Sequence, residues 1–294
     1  MKRSALAFSG VVLALMLDGA GSAQQPEGML DVLTCKVKPE KRADFDAIAK
    51  KVADANRRYK GDNFIASQVE YGDQNTVMFS SRRENYAAID KALSLFESAM
   101  KEAFGAPAMM QLERDFNACL ISSHAELRRR RPDLSTHAPA DLADISKMVG
   151  ESRWVRTTAV HVRPGHVDEF IAQAKALKEG VERHGPGPAT LVSQTVVGQQ
   201  GTVFYFSSYR KSLAEFDNGP PPLREVLGEE GYSAFQKGNM ENVARTEVTL
   251  SRFLPELSNA PSGVVDAAPD FWKPKSTAPI RTKPKPADAA KPAE

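Results

Sequence analysis

The chain repeats itself. Val37-Lys38-Pro39 and the stretch running on through Phe45 return as Val162-Arg163-Pro164 and a stretch through Phe170. Ser67-Gln68 returns as Ser193-Gln194, and Phe79-Ser80-Ser81 as Phe206-Ser207-Ser208. The spacing, about 125 residues, is far longer than any solenoid repeat and corresponds to one whole small domain used twice. The chain must therefore place two similar units side by side.

Each unit reads as strand, helix, two strands joined by a tight turn, helix, strand. The first strands, Leu30 to Val37 and Val155 to Val162, run into Pro39 and Pro164, where a helix can begin because a first-turn residue needs no backbone N–H. Phe45, Ile48, Val52 and Ala55 then form an apolar stripe of helical period, matched by Val167, Phe170, Ile171, Ala174, Leu177 and Val181. Gly72-Asp73-Gln74-Asn75 and Gly198-Gln199-Gln200-Gly201 sit between strand-like runs as hairpin turns. In the second unit Gly219-Pro220-Pro221-Pro222 must cut the following helix short. The last strands fall near Ser122 to Arg129 and Thr246 to Phe253. These limits give repeats over 27–135 and 152–258 and a linker over 136–151. A Pro-, Lys- and Ala-rich tail over 259–294 lacks the apolar content for a core and is expected to be disordered.

Residues 1–23 read as a signal peptide. Lys2 and Arg3 precede an apolar run from Ala5 to Leu17, and Gly21-Ser22-Ala23 offers small residues for cleavage. That run falls short of the ~20 residues needed to span a bilayer, and nothing later replaces it, so no integral membrane segment is expected once the signal is removed. The expected location is periplasmic or extracellular. The formal charge of +2 carries no general attraction to nucleic acid, and Arg128 to Arg131 reads as a solvated strand edge. Cys35 and Cys119 suit either one disulfide in an oxidising compartment or two buried thiols.

The β-α-β-β-α-β order is the split pattern of ferredoxin-like domains. As a tandem, with its strand-Val-x-Pro-helix openings and aromatic-Ser-Ser hairpins, the chain resembles the dimeric α/β-barrel superfamily, which includes antibiotic-biosynthesis monooxygenase-like and NIPSNAP-like domains. The resemblance implies an α+β fold in which two ferredoxin-like repeats pair their sheets as one intrachain pseudo-dimeric barrel, monomeric and with helices outside. It spans cofactor-free oxygenases, haem-handling proteins and domains without chemistry, so it does not select a function.

In such a barrel alternate residues of each strand face inward. On that face the first strands place Lys36 and His161, and the expected companions are Gln68, Gln194, Tyr205, His124, Glu126 and Glu247, with Lys36 meeting Glu126 and His161 meeting Glu247. Three uses follow. The chain binds a small, partly apolar ligand in a pocket of these residues, or a partner; or Tyr205, His161 and Gln194 orient a substrate for proton removal in a monooxygenase-like reaction; or His124 or His161 holds haem. No metal-ligand spacing, phosphate loop or nucleophile elbow is present. The reading favoured here is an exported binding protein with no cofactor.

Overall fold

The computed structural model describes residues 28–273; the expected signal segment and the chain beyond Lys273 lie outside the described residues. The elements are β1 (Met29–Val37), α1 (Arg42–Arg58), β2 (Ile65–Tyr71), β3 (Thr76–Arg83), α2 (Tyr86–Ala118), β4 (Leu120–Arg130), α3 (Leu142–Glu151), β5 (Trp154–Val162), α4 (Val167–His184), β6 (Thr190–Val197), β7 (Thr202–Arg210), α5 (Leu223–Asn242), β8 (Val243–Phe253), α6 (Ser262–Ala267) and α7 (Pro269–Trp272). The strands close into one barrel in the order β1-β3-β2-β8-β5-β7-β6-β4, and β4 returns to β1. Every pairing is antiparallel. Four reversals separate β1 from β5, so these strands run the same way. Their C-terminal ends, and the hairpin turns at 72–75 and 198–201, therefore meet at one end of the barrel.

Helices cover the outer face because the outward residues are apolar. Cys35, Val37, Ala66 and Val77 pack on Phe45, Ile48 and Ala49 of α1. Val160, Val162, Val192 and Phe204 pack on Phe170 and Ala174 of α4. The second helix of each half obeys the breakers in the sequence. In α2 the backbone leaves helical geometry at Gly105 (φ 71°), a left-handed conformation that glycine adopts without steric cost. In the second half only a 3-10 turn, Leu213–Phe216, precedes the Gly-Pro run, and α5 starts after it. Cys35 and Cys119 are both unpaired and buried, and burial pushes the Cys35 thiol up to about 12.

The expectation of disorder from residue 259 onward fails for its first part. Val264 and Trp272 pack with Val155 and Phe253 in a third core, against Ile65 and Tyr209. The Trp272 indole donates to the Gly150 carbonyl at 2.8 Å, and Trp272 and Phe253 ring centroids lie 5.6 Å apart. Four apolar or aromatic residues within nine positions (Val264, Val265, Phe271, Trp272) suffice once a preformed barrel end supplies the rest of the core. This strap lies across the end opposite the hairpins. No helix among the described residues is long and apolar enough to cross a membrane.

Candidate site in the barrel interior

Strand register decides which side chains meet inside. Lys36 stands opposite Thr76 and Ser122, and His161 opposite Val203 and Arg245. Both face inward at the hairpin end, where they form part of its rim. The expected Lys36–Glu126 pair does not form: the antiparallel register sets Glu126 opposite Val32, four residues away. Lys36 instead pairs with Asp73 and donates to the Gln74 carbonyl at 2.5 Å, both in its neighbouring hairpin turn. His161 does approach Glu247, at 3.9 Å, within a three-membered cluster. Arg245 Nη2 donates to His161 Nε2 at 3.1 Å, and Arg245 Nε lies 2.9 Å from Glu247. Burial, aided by the Arg245 charge, lowers the His161 pKa. The neutral ring then carries its proton on Nδ1, because arginine can only donate. His124 is exposed on the same rim, its Nε2 3.1 Å from the Gln199 amide. The hairpin can reach it because Gly198 (φ 103°) lies so close to β4 that a Cβ there would meet the Ala125 carbonyl at 2.4 Å.

Gln68 and Gln194 are not interior residues. Gln68 shares a face with Ala66, under α1, and accepts from Arg42 at 2.5 Å. Gln194 stands opposite the outward Phe204 and accepts from Arg131 at 2.6 Å. Both are displaced from the expected face by a parity error: in β2 and β6 the inward positions are Ser67 and Ser193, one residue earlier. A one-residue slip moves a whole strand's side chains to the other face.

Glu126 and Tyr205 do meet, through a partner the sequence reading missed. The Tyr205 hydroxyl donates to Glu126 Oε2 at 2.9 Å. Arg128 donates its Nε to Glu126 Oε1 at 2.8 Å and pairs with the same carboxylate through Nη2. Its guanidinium carbon lies 3.5 Å from the Tyr205 ring centroid, close enough for a cation–π contact. The side chains of Glu126 and Arg128 are 2% and 12% exposed, so the charges compensate each other inside the barrel. Burial, chiefly, pushes the Tyr205 phenol up to about 12. The run Arg128 to Arg131 is therefore not a solvated edge. Arg128 points in, and Arg131, itself buried, forks onto Asp133 at 2.8 and 2.7 Å and draws that carboxyl below its usual range. The i, i+2 spacing of Glu126 and Arg128 on a strand was the available clue, since such residues share a face.

Neither face of the sheet is uniform: outward Leu33, Phe79 and Phe206 are half-buried, and inward Val32, Ser67, Val69 and Val203 are buried. Outward Cys35, Val77 and Phe204 are fully buried under helices. Inward Thr34, Met78, Ser80, Thr157, Ala159 and Ser207 are only half-buried, although they lie in the middle of their strands. A closed barrel leaves inward side chains accessible only if its interior holds space, and eight strands enclose an interior that side chains fill or that takes one small ligand. Hydroxyls dominate this lining, and Thr157 and Ser207 lie 3.2 Å apart.

These residues do not suit haem. His124 and His161 are the inward histidines, both on the rim, and each has its Nε2 engaged by a neighbouring side chain. The interior below them mixes hydroxyls and the Glu126–Arg128–Tyr205 cluster with apolar Val32, Val69, Met78 and Val203. Among the described residues no group of three or more His, Cys, Asp or Glu is placed to hold a metal ion.

No family model matches the chain, and no curated protein does. Solved structures similar to it include a proposed monooxygenase from Lactobacillus acidophilus (10% identity, 80% of this chain and 97% of that chain covered, TM-score 0.46). An anthrone oxidase-like protein is 16% identical over 79% of this chain and 93% of that chain, with a TM-score of 0.48. A mutant chlorite dismutase from Candidatus Nitrospira defluvii is 10% identical over 83% and 97%, with a TM-score of 0.45. The chain has the dimeric α/β-barrel fold. Its own strand order carries that statement, and none of those activities passes to it by likeness.

Proposed function

We propose that this chain is an exported, monomeric binding protein, built as two fused ferredoxin-like repeats, that takes a small, partly apolar, uncharged molecule with hydrogen-bonding oxygens into its barrel. The inward hydroxyls of Thr34, Ser80, Thr157 and Ser207, half-open in the middle of their strands, carry the reading. Entry is from the hairpin end, past Lys36 and His161, because the strap closes the opposite one. The buried Glu126–Arg128 pair inside is neutral in sum and internally satisfied, so it offers no net charge to a ligand. The open groups are hydroxyl donors and acceptors beside Met78 and Ala159, a lining suited to a quinone or similar carbonyl compound.

Binding is favoured over catalysis because the would-be catalytic groups are not assembled. Gln194 lies on the helix side. Tyr205 is held protonated against Glu126. His161 spends its Nε2 on Arg245.

Titration with 1,4-naphthoquinone, followed by quenching of intrinsic fluorescence and by thermal shift, tests the reading. Saturable binding is expected, and Ser80→Trp, which fills the interior, should abolish it without loss of fold. No saturable binding of this probe or of related neutral carbonyl compounds, or full binding by a folded Ser80→Trp protein, would refute it.

A further inference from the structure

A cavity lies outside the barrel, where the strap passes between α1 and the end of β8. It is a cleft of ≈ 680 Å³ whose floor is Phe253, Leu254 and Leu257 and whose wall is Phe271. That volume is typical of small-molecule sites, which run to roughly 300–1,000 Å³. Its cations are unequally matched. Arg42 pairs with Asp46 at 2.8 Å, Lys50 with Glu256 at 3.6 Å, and Arg252 with Glu70 at 3.0 Å. Arg153 has no carboxylate partner among the described residues. Its Nη1 donates to the carbonyls of Gly150 (3.1 Å) and Ser152 (2.9 Å), and its guanidinium carbon sits 3.9 Å from the Phe271 ring centroid. Nη1 and the ring fix the plane of the group, and its Nε and Nη2 remain available.

We propose that this cleft binds a small amphipathic carboxylate, aryl or alkyl, whose carboxylate takes the open fork of Arg153 and whose apolar body lies on Phe253, Leu254 and Leu257. A guanidinium held flat matches a carboxylate through two parallel hydrogen bonds, which a point-like ammonium cannot do. Burial alone moves the Arg153 pKa, downward. No carboxylate compensates it, not even Asp270, which also lines the cleft, so an incoming anion would meet an unneutralised charge. The aromatic neighbour strengthens the match, since Phe271 shields one face of the ion pair from water.

Isothermal titration of the full chain with 2-naphthoate and 2-naphthamide tests this. Naphthoate should saturate one site and bind at least tenfold more tightly than the amide. Arg153→Met should lose tenfold or more, with Arg153→Lys recovering part of it. Ser80→Trp, which fills the barrel, should leave naphthoate binding unchanged, and Arg153→Met should leave naphthoquinone binding unchanged, so the two sites fail separately. Absent saturation, equal binding of the amide, wild-type affinity in a folded Arg153→Met protein, or loss of naphthoate in Ser80→Trp overturns the proposal. If Arg153→Met does not fold, the acid-to-amide ratio on the wild-type protein decides.

Discussion

Glu126→Gln isolates the buried charge at the centre of the barrel. The substitution keeps shape and leaves an amide oxygen that can still accept from Tyr205, so its main effect is to strip Arg128 of its counter-charge. Both side chains are well below one-third exposed, so the pair is not screened like a surface bridge. Breaking a buried pair from one side costs about 3–5 kcal/mol. A domain of this size loses roughly 2–4 °C of melting temperature per kcal/mol, so the expected fall is about 6–20 °C by circular dichroism. The double variant Glu126→Gln, Arg128→Met removes the stranded cation as well. It should recover much of the loss, because replacing both partners with groups of similar volume is often neutral. A melting temperature for Glu126→Gln within about 2 °C of wild type, or a double variant no more stable than the single, would show that water reaches the pair and that the interior described here is wrong.

The Tyr205 phenol is held near 12, above its ordinary 10.0. The folded state thus prefers the protonated form. That stability, about 3 kcal/mol at full size, is complete below pH 10 and is lost as pH rises through 12. Ultraviolet titration should show a late phenolate, and Tyr205→Phe should flatten the alkaline stability loss; an ordinary titration for all tyrosines would contradict this. His161 is shifted the other way. Its neutral form is favoured in the fold, so its contribution is present above the unfolded value near 6.5 and falls away as pH drops below it. His161→Gln should make stability between pH 5 and 7 flatter, and an unchanged slope in chemical denaturation would count against the Arg245 contact. Trp272→Ala removes a buried indole and its bond to Gly150, a change costing about 3–5 kcal/mol. Loss of less than 1 kcal/mol in urea melts would mean the strap does not close the barrel end.

Much of the architecture was legible because duplication made each local pattern count twice. Apolar periodicity placed α1 and α4, the Gly- and Asn-bearing turns placed both hairpins, and Gly219 to Pro222 foretold the shortened helix. The site was less legible. Local alternation says that Gln68 and Ser67 face opposite ways but not which of them faces in. That is settled by Ala66 packing on α1, a contact between distant residues. Lys36 was given the wrong partner because a sheet's register depends on where pairing starts, which sets Lys36 opposite Ser122 and Glu126 opposite Val32. Arg128 was misread because four consecutive arginines look solvated, although successive members of the run must face opposite sides of a strand. The strap was read as disordered tail because its few apolar residues make a core only in company.

A barrel assembled from two identical chains must show every inward residue twice, so any change on one wall is imposed on the other. Here a single polypeptide supplies both walls. Position by position, Lys36 faces the rim where His161 stands across from it, and Glu126 and Arg128 of β4, opposite Val32 and Leu30, have Thr249 and Ser251 at the matching places of β8, opposite Thr157 and Val155. One mutation alters one side of the chamber alone, so a lopsided guest can be fitted by steps that a symmetric pair of subunits is unable to take.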